Sequence, residues 1–441
     1  MSLSFPLLCA LCLFSIDIGR VSALDLDAFH AELDRLAQQV ESQVIAWRRD
    51  IHQHPELSNR EFRTAKIVAK HLTKLGMDVQ TGIAHTGVVG ILHGSPDGPV
   101  VALRADMDAL PITEATGLPF ASKVRDTWEG EEVGVMHACG HDAHTAILMG
   151  VAEVLSEVRD CLPGTVKFIF QPAEEGPPEG EEGGAPLMIK EGALENPVPT
   201  AIFGLHVGLF PWRTINYRPH AMMAAQDDLR IVVYGREAHG AMSWMGVDAI
   251  VVAAQVVLGI QTIPSRQIPF TKAPASVALC TVHGGVRKNI LPDKVEMVGT
   301  VRTFNMDMRQ DIHRRIERTV SKIAQSAGTR AEVHLQAVNP VTYNDRELIG
   351  QMSPTLERVA GKNKVDGNTP LIISSADFSN YQRRIPGLFF FLGTAPENVA
   401  PETLPSPHNP RFHVDESALI VGVRALSNLA VDYLFMQSES Q

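Results

Sequence analysis

The chain has 441 residues, 45% of them hydrophobic and 20% charged, with a formal net charge of −11. This is the composition of a soluble globular protein long enough for two or three domains. The acidity is dispersed and no Lys/Arg stripe interrupts it, so the chain lacks the footprint for gripping phosphate backbones and no nucleic-acid partner is expected.

The first predicted element is a leader. "FPLLCALCLFSI" is a short apolar run, and "VSA" at 21–23 has the small-x-small pattern of a cleavage site. The run is too short for a comfortable membrane span, so residues 1–23 read as a cleaved secretory signal and the protein as secreted or periplasmic. No stable membrane span is expected in the remainder. Helical spacing of Leu33, Leu36, Val40, Val44 and Ile45 predicts a helix over 26–50. A second helix follows in "NREFRTAKIVAKHLTKLGM", with Asn59 as its cap and Gly76 as its end. "TGVVGILHG" and "VVALRAD" read as buried strands, "TAILMGVAEVLSEV" as a helix, and "GTVKFIF" and "TAIFGLHV" as strands. This alternation predicts an α/β sheet layered by helices.

From about residue 226 the texture changes. "DLRIVVYG", a helix in "GVDAIVVAAQVVLGIQTI", "ASVALCTVHGG", "VEMVGTVRTF", a helix in "MRQDIHRRIERTVSKIAQSAG" and "RAEVHLQAV" give the order β-α-β-β-α-β. That is the ferredoxin-like pattern. The expected division is a larger α/β domain in two parts, 24–225 and 338–441, with residues 226–337 inserted between them as an α+β domain.

Groups able to bind metal collect near the predicted strand ends, where open α/β sheets bind ligands. They are Asp106 and Asp108 after "VVAL", the cluster "GVMHACGHDAHTA" at 134–146, Glu174-Glu175 after "FIFQPA", His206 ending "AIFGL", and His408 in "LPSPHNPRF". Any one of these is more often a solvated turn residue or a packed side chain. The cluster is different, because Cys and His two positions apart suit zinc-like ions; spacing alone leaves open which of His137, His141 and His144 bind. An extended "PAEE" would project its two carboxylates to opposite sides. One could then bind metal while the other serves as a base toward the same water. Outside the leader, which holds Cys9 and Cys12, three cysteines remain, Cys139, Cys161 and Cys280, an odd number that leaves a thiol unpaired.

In order, "WRRDIHQHPELSNREFRTA", "LRADMDALPI", "GVMHACGHDAHTA", "FIFQPAEEGP", "GLHV", "GREAHGAM", "NILPD" and "HNPRFHVDE" closely resemble the amidohydrolase branch of the aminoacylase-like metallopeptidases. That branch holds hippurate hydrolases, N-acyl-amino-acid amidohydrolases and auxin-conjugate hydrolases. The resemblance implies a metallopeptidase-type catalytic domain with an inserted ferredoxin-like lid that forms a homodimer. It implies a pair of divalent ions, zinc or manganese with cobalt or nickel as alternatives, held by Cys139, His141, Glu175, His206 and His408, with the Cys139 thiolate bridging. It makes Glu174 the general base toward a metal-activated water and Asp108 a carboxylate that orients a ligand. His239 becomes a lid residue that stabilises the oxyanion, and Asn289 a lid residue that holds substrate. His137 and His144 become structural. Two departures stand out: Ser243-Trp244 replace the Pro-His that relatives commonly carry, and Ala376 in "SADFS" replaces a Glu. The expected activity is cleavage of the amide bond of N-acyl amino acids or related small conjugates. The alternatives are a dipeptidase or aminopeptidase with the same metals, and a non-catalytic metal- or ligand-binding relative.

Overall fold

The computed structural model describes residues 23–439. The expected leader, residues 1–23, therefore lies outside the described residues up to its last position. In chain order the principal elements begin with α1 (Ala23–Gln53), α2 (Phe62–Lys74), β1 (Asp78–Ile83), β2 (Gly87–His93) and β3 (Val100–Asp106). Next come α3 (His141–Glu157), β4 (Thr165–Gln171), β5 (Ala201–Gly208), β6 (Ala225–Tyr234) and α4 (Ala249–Thr262). They continue with β7 (Ala275–Gly284), β8 (Lys294–Thr303), α5 (Met306–Ser326), β9 (Ala331–Asn339), α6 (Arg346–Ala360), β10 (Gly387–Gly393) and α7 (Leu419–Ser438). The chain divides into two compact units. Among the described residues, one comprises 23–219, 344–369 and 381–439; the other comprises 220–343 and 370–380.

The first unit is built on an eight-stranded sheet, ordered β1-β2-β4-β3-β5-β10 and closed by the two-residue strands Ile215–Asn216 and Val365–Asp366. The four pairings from β3 to its neighbours β4 and β5, from β5 to β10, and from Val365–Asp366 to Ile215–Asn216 are parallel. Strands β4 and β10 are buried at every position, which is what a sheet covered by helices on both faces requires. Helix α3 is buried almost all round, from His141 to Leu155. A span-length apolar stretch at Glu416–Ser438 contains α7, and most of it is core. A second such stretch, Ala249–Gln267, contains α4 and is one-third buried.

Helix α2 starts later than its predicted cap. Asn59 takes a left-handed φ of 61°, so the chain is still turning there, and Glu61 occupies the cap position without capping through its side chain. The Glu56 carboxylate instead accepts the free N–H groups of Arg63 and Thr64, at 2.7 and 2.8 Å. Gly76, φ 73°, follows the helix end as expected.

The second unit carries the four-stranded antiparallel sheet β7-β8-β6-β9. This is the ferredoxin-like order, with α4 and α5 as the crossovers. Strand β8 alternates buried with less buried positions, as a sheet with one covered face should. Helix α5 buries Met308, Ile312, Ile316, Val320 and Ala324, a stripe of every fourth residue against that face. The caps are supplied by Asp248 for α4 and Asn305 for α5, each worth about 1 kcal/mol.

This unit is larger than the expected 226–337. It starts at His220, ends at Tyr343, and takes 370–380 back from the C-terminal part. The reason is pairing that no local pattern announces. Ala224 N–H is shared by the carbonyls of Ile372 and Ser374, and Ser375 Oγ donates to Gln226 and accepts from Asn339 and Arg302. Ala376 lies in this returning segment and is buried.

Asp227 ties β6 to α5. Its buried carboxylate accepts from Arg309 Nε at 2.9 Å and meets His313 Nε2 at 2.9 Å. Burial alone would push this carboxyl up, but His313 and Arg309 outweigh it and hold it below the usual range. A depressed folded value stabilises the fold above the unfolded carboxyl pKa of about 3.9, and that stability disappears as pH falls through the folded value. Asp227→Asn is expected to destabilise the protein by about 3 kcal/mol at neutral pH, because it strands a buried guanidinium. Denaturant titrations should find that deficit at pH 7 and a shrinking one toward pH 3; equal stability of the two proteins at pH 7 would refute the role.

Candidate metal centre

Every expected ligand belongs to the first unit, and the sheet explains why they meet. Strands β3, β4 and β5 run parallel, so their carboxyl ends present Asp106 and Asp108, Glu174 and Glu175, and His206 at one edge. Helix α3 begins beside them after Gly140, whose φ is 100° and whose Cβ position would lie 2.3 Å from Val207 Cγ2. Only glycine satisfies both conditions. The sharp entry puts Cys139 just before the helix and His141 on its first turn. His408, also left-handed with φ 65°, is tied in by its own N–H to Ala138 O at 2.8 Å.

The atoms converge. Cys139 Sγ lies 3.4 Å from His206 Nε2, and His408 Nε2 lies 2.9 Å from Glu175 Oε1. His141 Nε2 has no hydrogen-bond partner although it is buried, and it stands 4.0 Å from both Glu174 Oε2 and Glu175 Oε1. The trios Cys139–His141–His206 and Cys139–Glu175–His408 each gather their ligand atoms within 4.8 Å of one another. Both contain Cys139, so a single sulfur stands between two candidate cation positions.

Two further trios are equally compact: His141–Glu174–Glu175, which brings Glu174 to the same imidazole, and Asp106–His141–His144, in which Asp106 and His144 are already engaged. His144 Nδ1 meets Asp106 at 2.6 Å, and its Nε2 accepts the Val207 N–H at 2.8 Å. Asp106 is also paired with Arg104. His144 therefore braces β5 one residue from His206. His137 is fully buried with neither ring nitrogen hydrogen-bonded, and burial holds it neutral, near a pKa of about 3.

Orientation of the ligands comes from buried carboxylates and carbonyls. Asp108 meets His141 Nδ1 at 3.1 Å and accepts from the Glu175 N–H at 3.0 Å and the Ser58 hydroxyl at 2.8 Å. His206 Nδ1 is 2.6 Å from Val207 O, which places its proton there and leaves the Nε2 lone pair facing the sulfur. The start of α3 is anchored through Asp142, which meets Arg48 Nε and His52 Nδ1, each at 2.8 Å.

The protons report the same demand for positive charge. Burial, with Glu175 and Glu174 adding to it, pushes the Cys139 thiol well above its ordinary range. Burial would lower His141, yet Asp106, Asp108 and Cys139 reverse that and raise it. Without a cation, protons must neutralise this pocket; a thiolate, imidazoles and a carboxylate around an orphaned Nε2 are the donor chemistry of a divalent metal.

One geometric expectation fails. "PAEE" is a turn rather than an extended segment, because Ala173 adopts φ 51°. The two glutamates consequently face the same imidazole instead of opposite sides. His239 and Asn289 belong to the second unit and lie side by side: the Gly240 N–H donates to Asn289 O at 2.9 Å, and the exposed His239 accepts the Ala241 N–H at Nδ1, 3.1 Å away. Sequence reasoning passed over Arg48, His52, Glu61, Asp142 and the brace made by Asp106 and His144. Their only signal was that all of them fall inside motifs that carry other candidate residues.

Comparison with known proteins agrees with this chemistry. A model of peptidase family M20/M25/M40 matches residues 102–432. Thermostable carboxypeptidase 1 of Saccharolobus solfataricus is 37% identical over 399 residues, 90% of this chain and 96% of that protein. N-acetylcysteine deacetylase of Bacillus subtilis is 38% identical over 392 residues, 88% of this chain and 96% of that one. The crystal structure of a dinuclear metal-binding peptidase from Bacillus subtilis matches with a TM-score of 0.74 at 34% identity, covering 90% of this chain and 99% of the other. The chain belongs to peptidase family M20/M25/M40 and is a metal-dependent hydrolase of amide bonds.

Proposed function

We propose that the protein removes the acyl group from N-acylated amino acids or related small conjugates. The observation that carries this reading is the pair of ligand trios sharing Cys139, with Glu174 beside them and not needed in either. In this reading Cys139, His141, Glu175, His206 and His408 hold two divalent cations, zinc or manganese, with cobalt and nickel compatible with the same donors. Cations bound there acidify water and polarise a carbonyl.

Glu174 accepts the proton of the attacking water and returns it to the departing nitrogen. Asp108 keeps His141 and the Glu175 backbone in register throughout. His239, whose Nδ1 is occupied by the Ala241 N–H, carries its proton on Nε2 and offers it to the developing oxyanion. Asn289 beside it contacts substrate. The exposed Ile250, Val251 and Leu258 on α4 and Val282 on the edge strand β7 support a homodimer formed through the second unit. The leader sequence supports export to the periplasm or medium. The absence of a carboxylate at Ala376 supports a substrate that differs from those of relatives with Glu there.

Similarity to a carboxypeptidase favours one competing reading, hydrolysis of peptides. The test is a panel of N-acyl amino acids and dipeptides offered to protein reconstituted with zinc or manganese. Acylated amino acids are expected to have the higher kcat/KM. A reversed order would establish a peptidase, and a fully loaded protein inert to the whole panel would favour a binding role.

A further inference from the structure

The turn that carries Glu174 and Glu175 is strained, and its local tie is a long one, the Gly176 N–H to the Ala173 carbonyl at 3.3 Å. Ala173 sits at φ 51° without being glycine, a conformation that persists only when surroundings enforce it. The enforcing segment is more than a hundred residues earlier. Glu61, fully buried, accepts the Ala173 N–H at 3.0 Å and the Asn59 N–H at 3.1 Å on Oε1, while its other oxygen pairs with the Thr86 hydroxyl. Asn59 is itself left-handed and buried. Its side-chain amide donates to Glu182 O and to Glu181 Oε2, at 3.1 and 3.0 Å, gripping the far end of the same loop. Ser58 in turn donates to Asp108, which accepts the Glu175 N–H.

We infer that Glu61 is a positioning residue for the two-glutamate turn, holding Ala173 in its left-handed conformation so that Glu174 and Glu175 face His141 together. It touches neither substrate nor cation in this scheme; it acts through the backbone. The inference rests on the proposed function only for its kinetic readout, since the turn also sets a ligand, Glu175, and so can be followed by metal binding alone.

The position asks for shape more than for charge. Burial and the nearby charge of Asp108 push the Glu61 carboxyl up to about 8, and a carboxamide can reproduce its pattern. In Glu61→Gln the amide oxygen accepts both backbone N–H groups, and the amide nitrogen donates to the Thr86 hydroxyl, which rotates to accept. In Glu61→Ala the two N–H groups lose their buried acceptor.

The test uses the full chain and two readouts: cobalt(II) titration followed by visible absorption, and steady-state kinetics on the best N-acyl substrate. Glu61→Ala is expected to weaken cobalt binding at least tenfold and to lower kcat at least a hundredfold with KM within about threefold of wild type. Glu61→Gln should restore both to within about threefold. Wild-type cobalt affinity in Glu61→Ala would overturn the inference, as would equal damage in both variants, which would mean that the position needs a charge and not an acceptor. If Glu61→Ala does not fold, the decision falls to Glu61→Gln, whose near-native cobalt spectrum supports the inference and whose altered spectrum overturns it. A wild-type protein that hydrolyses no N-acyl substrate would undo the proposed function while leaving the cobalt comparison intact.

Discussion

Glu174→Gln is expected to retain the metal content of the wild-type protein while turnover falls by roughly 10²–10⁴-fold, the range for removing a positioned proton-transfer group. The substitution preserves size and one carbonyl oxygen, so the turn at Ala173 has no reason to move. What it removes is basicity. Glu174 Oε2 stands 4.0 Å from His141 Nε2 and the group is mostly buried, so it can take a proton in a place that bulk water does not readily replace. Its neighbour supplies the control. Glu175 Oε1 is 2.9 Å from His408 Nε2 and belongs to the trio with Cys139, so Glu175→Gln should lose metal as well as rate. Metal analysis beside kinetics therefore separates two adjacent residues of the same type. A Glu174→Gln protein with wild-type kcat would remove it as the base, and one with depleted metal would reassign it as a ligand.

How much of this was readable in the sequence depends on the range of the interaction involved. Strands β3, β4 and β5 were legible because each is an apolar run bounded by turns, and their parallel pairing follows from the helices between them. The residues at their ends were legible because the motifs containing them name chemistry. The turn at Ala173 was not, since nothing local favours a left-handed alanine; Glu61, 112 residues away, imposes it. The cap of α2 failed for a related reason. Asn59 has the right side chain for capping, but that side chain is occupied by Glu181 and Glu182. The return of 370–380 to the second unit depends on Ser375 meeting three partners from separate strands and their flanks, a pattern with no periodicity to betray it. His144 could be placed among the structural histidines, yet its actual task appears only when Asp106 and the Val207 N–H are both in view.

Cys139→Ala should have the largest effect on metal content, because it removes the atom common to both trios. The side chain is small and buried at the entry to α3, so the fold should survive and circular dichroism should be unchanged. Metal measured after dialysis is expected to fall well below the wild-type amount. Cys139→Asp, which restores an anionic donor, should recover part of it. The protons give an independent check. In the metal-free protein, burial and the two glutamates keep the thiol protonated, and the surrounding carboxylates keep His141 protonated. Metal binding must displace those protons, so affinity should weaken as pH is lowered, with proton release into weakly buffered solution. Removing the thiol takes away one of them and should flatten the pH dependence of the remaining binding. An alanine protein with full metal content and an unchanged pH slope would exclude the sulfur from the centre, and with it the idea that one atom joins the two cation positions.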